Sequence, residues 1–171
     1  ELTVEEGETY KVKGEIEVPF GTSGSHVLIL MIEPEATEAY NGVALKVRYA
    51  VRIIVRVKSA SVKKEGNLTD LELIKDDQGR QFIRTKVNNP SALDYKAKVE
   101  LTIRDKNKRL IERMNLRTMP GHKNKKDSWR IYPESEVMFV GWPESFLSPG
   151  TYNLRAILNY GERGQDILTK T

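Results

Sequence analysis

The hydrophobic pattern of this chain is a repeated alternation of apolar and polar positions. Its longest stretch, residues 43–57, has an apolar side chain at every odd position and mostly charged or small residues between them. Successive side chains of a β-strand point to opposite faces, so this period of two predicts one long strand. No stretch has a convincing amphipathic helical period, and we therefore predict an all-β protein.

Further strands are predicted on both sides of this long one. Before it, residues 2–4, 10–18 and 26–32 have strand patterns separated by glycine-containing turns. Such a group of four strands is too small for an immunoglobulin-like sandwich, which needs about seven. After it, seven turn-bounded segments make one complete sandwich: residues 68–74, 81–87, 95–104, 110–116, 131–140, 151–160 and 165–168.

The chain is therefore predicted to contain two immunoglobulin-like β-sandwich domains. Residues 1–58 are predicted as a partial domain that is incomplete at its amino-terminal end and finishes in the long strand. Residues 59–171 are predicted as a complete sandwich, and the small polar segment that begins at Ser59 is predicted as a tight joint between the two. Because residue 1 is Glu and not Met, we expect that an upstream segment has been removed.

A turn near the end of the chain predicts a tyrosine corner. The turn holds Pro149 and Gly150, and Tyr152 follows at the start of a predicted strand. In such a corner the tyrosine hydroxyl satisfies a backbone group of the turn. The alternative is an ordinary core tyrosine after a turn, and both interpretations give Tyr152 a structural role.

Composition and charge exclude several classes of function. The 28 basic and 24 acidic residues leave a net charge of only +4, which does not favour a nucleic acid as partner. No stretch approaches the ~20 consecutive apolar residues of a membrane helix, so membrane insertion of this chain is not expected. The chain has no cysteine, and its two histidines, His26 and His122, belong to no zinc-spacing motif.

No motif of catalysis is present either. Residues 21–25 are rich in glycine and serine but lack the lysine of a phosphate-binding loop. Paired carboxylates such as Asp76 and Asp77 fall in a predicted turn, where turn formation and solvation explain them. We therefore expect a protein that is not an enzyme and that needs no metal and no cofactor.

Three stretches carry a resemblance to a known family. They are the strand of residues 43–57, the segment Arg-Thr-Lys-Val-Asn-Asn-Pro-Ser-Ala at residues 84–92, and Leu-Asn-Tyr-Gly at residues 158–161. In order and spacing they resemble the periplasmic pilus chaperones of the PapD-like superfamily. The resemblance implies two immunoglobulin-like domains that meet at an angle. It also implies that the long strand lends apolar residues to a polypeptide that lacks a strand, which is β-strand addition.

The resemblance also implies roles for residues of the long strand. Val43, Leu45 and Val47 match the residues that fill pockets of the incomplete partner. Arg52 is at an even position of the same strand, so its side chain lies on the face opposite to these apolar residues. It matches a cleft lysine that holds the partner's terminal carboxylate, and arginine can bind a carboxylate through two hydrogen bonds. The family's second anchor, an arginine near the start of the first domain, belongs to strands that are absent from this sequence.

An interdomain charge cluster of the family matches Glu33, Arg56 and Asn159, with Asn159 in place of an aspartate.

The alternative interpretation of the long strand gives it no partner: its apolar side chains lie in the core of their own sandwich, and Arg48, Arg52 and Arg56 form a solvated edge.

Two functions remain open at this stage. One is an exported chaperone-like or assembly protein, periplasmic or at the cell surface after removal of a signal peptide, that adds a strand to a polypeptide partner. The other is a structural immunoglobulin-like module of a larger cell-surface protein with no client. Because the first domain lacks strands, we also expect either self-association through its exposed edge or a cleaved amino-terminal piece that stays bound there non-covalently.

Overall fold

The computed structural model describes residues 7–33, 48–59, 62–118, 128–161 and 166–170, the last five for the backbone alone. These residues form strands and no helix, so none of them belongs to a helix that could cross a membrane, and the prediction of an all-β protein is confirmed. The strands are β1 (Gly24–Ile32), β2 (Tyr49–Val57), β3 (Asn67–Lys75), β4 (Gln81–Asn89), β5 (Tyr95–Asp105), β6 (Leu110–Thr118), β7 (Trp129–Ile131), β8 (Ser135–Gly141), β9 (Tyr152–Gly161) and β10 (Asp166–Lys170).

β1 and β2 form a two-stranded antiparallel sheet, which we call the ribbon. Its register runs from Gly24 opposite Val57 to Ile32 opposite Tyr49. Directly paired residues share a face, so the register separates two sides. The apolar face carries His26, Leu28, Leu30 and Ile32 with their partners Val55, Ile53, Val51 and Tyr49, and the arginine face carries Arg52 and Arg56 among Val27, Ile29, Met31 and Ile54.

The other strands form one antiparallel path in the order β10-β9-β5-β6-β8-β4-β3, with β7 paired to β5. β6 links the two halves of this path. It pairs with β5 along most of its length, and its last two residues, Arg117 and Thr118, pair with β8. The path curls until β3 approaches β9 and β10. The result is a curled half-barrel consistent with a β-sandwich, and we call it the body.

The core of the body follows from the alternation of its strands. In β5, alternate side chains from Tyr95 to Ile103 are buried, and they meet the buried side of β4 on the opposite wall. The core contains these buried apolar residues: Leu68, Ile83, Val87, Tyr95, Ala97, Val99, Leu101, Ile103, Leu116, Ile131, Phe139, Leu147, Ala156 and Leu158.

The turn before β9 confirms the predicted tyrosine corner. The Tyr152 hydroxyl donates a hydrogen bond of 2.6 Å to the carbonyl oxygen of Ser148. This bond fixes the chain where it enters β9, the strand that pairs with β5 along nearly its whole length.

Two strand predictions are wrong. Residues 131–140 do not form one strand, because β7 ends at Ile131 and β8 begins at Ser135. Pro133 has no N–H to donate, and Glu134 adopts a left-handed φ of 52°. Residues 10–18 form no strand either, because no strand lies beside them among the described residues. The predicted segments 2–4 and 43–47 lie outside the described residues.

Candidate functional site

One buried carboxylate joins the ribbon to the body. The Asp94 side chain is fully buried and accepts two hydrogen bonds from Arg56, at 2.6 Å from Nε and 2.7 Å from Nη2. The Ser25 hydroxyl donates to it at 2.5 Å, and Nη1 of Arg130 makes a further short contact. Ser25 and Arg56 are directly opposite each other in the ribbon. We call these four residues the Asp94 clamp.

The backbone at the clamp requires a glycine. Gly24 has a φ of +92°, and a Cβ atom placed there would lie 2.5 Å from the carbonyl oxygen of Ala92. Only glycine adopts this conformation without strain at so close an approach. The next residue, Ser25, donates its backbone N–H to the same Ala92 oxygen at 2.8 Å. The start of β1 is therefore held against the loop that carries Asp94.

A buried asparagine shapes that loop. Asn89, at the end of β4, donates from Nδ2 to the carbonyl oxygens of Leu93 at 2.8 Å and Tyr132 at 2.9 Å. Its Oδ1 accepts from the backbone N–H and the hydroxyl of Ser91. The loop between β4 and β5 and the turn after β7 are thereby held together, and this places Asp94 between Arg56 and Arg130.

The surroundings of Asp94 determine its charge. Burial would by itself raise the pKa of Asp94, but the hydrogen bonds from Arg56, Ser25 and Arg130 outweigh burial and hold the pKa well below its ordinary value. Asp94 is therefore ionised throughout the physiological pH range. A carboxylate with this many charge-assisted bonds acts as a structural joint, and its lone pairs are already occupied.

Beside the clamp lies a cleft between β2 and the body, which we call the basic cleft. It is lined by Arg52, Lys96, Ser128, Trp129, Arg130 and Tyr132, with no acidic side chain among them. The Arg52 guanidinium lies over the Tyr132 ring, 5.1 Å from its centroid. Lys96 and Arg130 are direct partners across β5 and β7, where two like charges repel each other unless an anion is near.

The charges in this cleft are only partly neutralised. Arg130 pairs with Asp94 behind it and shares the single charge of that carboxylate with Arg56. Arg52 and Lys96 form no salt bridge with any carboxylate in the described part of the chain. Two unpaired cations beside aromatic rings can bind a carboxylate, and Arg52 can do so through two parallel bonds.

The ribbon exposes most of the apolar side chains on both of its faces. On β1 every residue from Val27 to Ile32 is exposed, and on β2 Tyr49 and Val51 are 57% and 44% exposed. Among the described residues, the outer edges of β1 and β2 pair with no further strand, and the backbone bond from Ser25 to Ala92 lies only at the start of β1. Isolated two-stranded sheets are marginally stable at best in water, so this ribbon has the geometry of a sheet that lacks neighbours.

The predicted site residues lie in different places. Val43, Leu45 and Val47 are outside the described residues. Arg52 lies in the basic cleft, and its parity opposite to the apolar face agrees with the register.

The three residues assigned to the interdomain cluster do not share one contact. Glu33 follows β1 and pairs with Arg48 at 2.8 Å, at the end of the ribbon away from Arg56. Asn159 donates from Nδ2 to Oε1 of Glu100 at 3.4 Å. The carboxylate that binds Arg56 is Asp94.

Sequence reasoning missed Asp94, Ser25, Lys96 and Arg130. Asp94 follows a turn-like Asn-Asn-Pro-Ser segment, which predicts a turn and gives no indication that the following carboxylate is buried. A signal was present in the asparagine pair and in the acidic residue directly before the longest core strand. The partners of Asp94 are 36 to 69 residues away along the chain, and sequence spacing does not reveal such contacts.

In comparisons with known proteins, no family model, curated protein or solved structure matches the chain. Among the described residues, no group of three or more histidine or acidic side chains is placed to hold a metal ion. The functional interpretation therefore depends on the geometry of the ribbon and of the basic cleft.

Proposed function

We propose that this protein binds an exported polypeptide by β-strand addition to the ribbon, as a chaperone-like or assembly module without enzymatic activity. In this proposal the ribbon is part of an incomplete immunoglobulin-like domain, and the body is the second, complete one. The protein acts outside the cytoplasm, in the periplasm or at the cell surface. The function needs no cofactor, since binding is through backbone hydrogen bonds and side-chain pockets.

The observation that carries the proposal is the unpaired and apolar ribbon. Beyond Ser25, which is bonded to Ala92, the outer edges of β1 and β2 present rows of backbone N–H and C=O groups, and the exposed apolar side chains lie beside them. An added strand would satisfy the backbone groups and cover the side chains together. Val43, Leu45 and Val47, to which the resemblance gives the partner-binding role, are at odd positions of the sequence, as are Tyr49, Val51, Ile53 and Val55 of the apolar face.

The basic cleft gives the added polypeptide a defined end. Arg52 lies on β2 itself, and its guanidinium has no carboxylate partner in the described part of the chain. A free carboxyl terminus placed in the cleft would meet Arg52 and Lys96. Such an anchor sets the register of the strand, because each one-residue shift exchanges the side chains of the two faces.

The second candidate, a structural immunoglobulin-like module with no client, is favoured by the body. Its core is closed on its own, with fully buried residues from β4, β5, β7 and β9. On that interpretation the ribbon is covered by another part of a larger surface protein, and Arg52 is a solvated charge.

A peptide-binding experiment separates these candidates. The probe is a synthetic peptide of alternating valine and threonine, made once with a free carboxyl end and once amidated. We expect Arg52→Ala to weaken binding of the free-acid peptide about tenfold or more and to leave the amidated peptide unchanged. The matched control is Arg155→Ala, on the exposed side of β9, which should change neither affinity.

A second variant tests the ribbon independently of the cleft. Val51→Asp places a charge on the apolar face and should weaken both peptides, whereas Leu110→Asp, at an exposed apolar position of β6, should weaken neither. Equal affinity of every variant for both peptides would contradict strand addition and leave the structural module. If peptide binding depends on Val51 but not on Arg52, only the proposed role of Arg52 as carboxylate anchor is contradicted.

A further inference from the structure

Residues 10–18 carry a strand pattern without a strand beside them. Four apolar side chains, Tyr10, Val12, Ile16 and Val18, alternate with four charged ones, Lys11, Lys13, Glu15 and Glu17. All nine residues are exposed. Within the described parts of the chain, none of them forms an ion pair or a backbone ladder bond.

The order of these side chains is symmetric about Gly14. Two lysines precede Gly14 at the same separations at which two glutamates follow it. In an antiparallel pair of two such segments centred on Gly14, Lys11 of each copy faces Glu17 of the other, and Lys13 faces Glu15. The apolar positions match in the same way: Tyr10 faces Val18 and Val12 faces Ile16.

We propose that residues 10–18 of two copies of this chain pair as antiparallel strands about a two-fold axis at Gly14. Such a contact is isologous, since the same patch serves both copies, and this is the commonest symmetry of homodimers. Opposite charges directly across an antiparallel pair stabilise it, and like charges destabilise it. The proposal does not require that the ribbon binds a client.

The charge order selects this arrangement over its competitors. Parallel pairing in register would place lysine opposite lysine and glutamate opposite glutamate. An antiparallel pair shifted by two residues would place Lys13 opposite its own copy. Only the pair centred on Gly14 gives every charged residue an opposite charge and every apolar residue an apolar neighbour.

The surroundings of the segment permit this pairing. Nothing lies within 4 Å of a Cβ atom placed at Gly14, so a second backbone can approach there. Ile16 and Val18 line a groove with Leu28, Val55 and Val57 of the ribbon, and Glu17 lies at the same groove. The apolar side of the paired strands therefore has a surface to pack on in each copy, and pairing would place Glu17 with the other charged residues on the opposite side of the strand. The contact is short, and we expect a weak, concentration-dependent dimer.

Charge variants test the pairing. In K11E/K13E all four charges of the segment are negative, and in E15K/E17K all four are positive, so each variant alone should dimerise at least about tenfold more weakly than the wild type. A mixture of the two should form a heterodimer. The fourfold reversal K11E/K13E/E15K/E17K restores opposite charges across the pair and should dimerise like the wild type. Sedimentation equilibrium over a concentration series measures all of these.

Cysteine variants test the geometry in this cysteine-free chain. Residues directly opposite in an antiparallel pair have Cα atoms ~4.5–5.5 Å apart, a distance that a disulfide spans. Gly14→Cys should therefore give a covalent dimer on mild oxidation. In Lys11→Cys the two thiols lie about 20 Å apart and should not cross-link, whereas a mixture of Lys11→Cys with Glu17→Cys should.

Several outcomes would overturn the proposal. A wild-type protein that stays monomeric up to about 1 mM would do so, as would like-charge variants that dimerise as well as the wild type, or equal cross-linking at positions 11 and 14. The ribbon variant Val51→Asp separates the two proposals. If it weakens peptide binding and leaves dimerisation unchanged, strand addition and the dimer stand independently. If the charge and cysteine variants of residues 10–18 contradict the pairing while Val51→Asp still weakens peptide binding, only the dimer proposal is wrong.

Discussion

The ribbon and the body contain strands of similar length and similar alternation, yet they differ in burial. In β5 alternate apolar side chains are fully buried, whereas in β1 no residue from Val27 to Ile32 is buried. Those six residues are all apolar, a pattern typical of strands covered on both faces. Alternation therefore specifies a strand, whereas burial depends on the layers that other segments of the chain supply.

The two regions also differ in what holds them in place. The body is stabilised by a continuous apolar core that joins its two walls. The end of the ribbon at Ser25 and Arg56 is held by polar contacts: both side chains bind Asp94, and the Ser25 N–H donates to Ala92. We therefore expect substitutions in the body to affect global stability and substitutions in the ribbon to affect it little, with the Asp94 clamp between these extremes.

The largest contrast should come from truncating one apolar side chain in each region. Phe139 is 1% exposed and Ile29 is 64% exposed. We expect Phe139→Ala to lower the free energy of unfolding by about 3–5 kcal/mol, because it leaves a cavity in the core. Ile29→Ala should change it by less than about 0.5 kcal/mol. Urea denaturation followed by tryptophan fluorescence measures both, and similar losses would contradict the contrast.

Asp94→Asn should have the next largest effect. It removes the charge that Arg56 and Arg130 share, but their side chains are 42% and 32% exposed, so water partly replaces the lost interaction. We expect a loss of about 2–3 kcal/mol in the free energy of unfolding, with faster amide exchange in β1 and β2. Asp77→Asn, in an exposed turn, is the matched control and should be neutral.

The pH dependence of the same pair sharpens this test. The folded-state pKa of Asp94 lies below its unfolded-state value of about 3.9, so its stabilisation is fully present above that pH and is lost as the pH falls towards the folded-state pKa. The wild type should therefore lose more stability than Asp94→Asn on acidification below about pH 4. Parallel profiles of the two proteins would show that Asp94 is not held as an ion.

The smallest effect concerns a hydroxyl group in each region. Tyr152→Phe removes the bond to Ser148 in the tyrosine corner and should cost about 0.5–1.5 kcal/mol. Tyr49→Phe, on the exposed ribbon, should be neutral within about 0.5 kcal/mol. Thermal denaturation of the two variants beside the wild type measures the difference. A larger loss at Tyr49 would mean that the ribbon is packed in solution.

Most strands of the body could be predicted from the sequence, because their alternation and turn residues are local signals. The error at residues 131–140 was also local, since Pro133 was a warning inside an otherwise apolar run. The error at residues 10–18 was different. Their pattern is that of a strand, but a strand also needs a second strand to pair with, and the local sequence does not show whether one is present.

The site was predictable only in part. The parity of Arg52 follows from counting along one strand, and the register agrees with it. The Asp94 clamp combines the ribbon, the loop before β5 and the short strand β7, and its contacts depend on the tertiary fold. The flanking sequence of an acidic residue at a turn is the same whether that turn is solvated or buried. The burial of Asp94 could therefore not be predicted from the residues next to it in the sequence.

The position of Asp94 directly before β5 has a mechanical consequence. If a polypeptide pairs along the ribbon as proposed, a pull on it acts parallel to β2, and the load would reach the body through the Arg56–Asp94 pair and the bond from the Ser25 N–H to Ala92. It then enters β5, which is bonded to β6, β7 and β9 and distributes the force over the body. The few bonds of the clamp are weaker in total than these ladders, so under tension the ribbon should detach from the body at Asp94 before any strand of the body is pulled out.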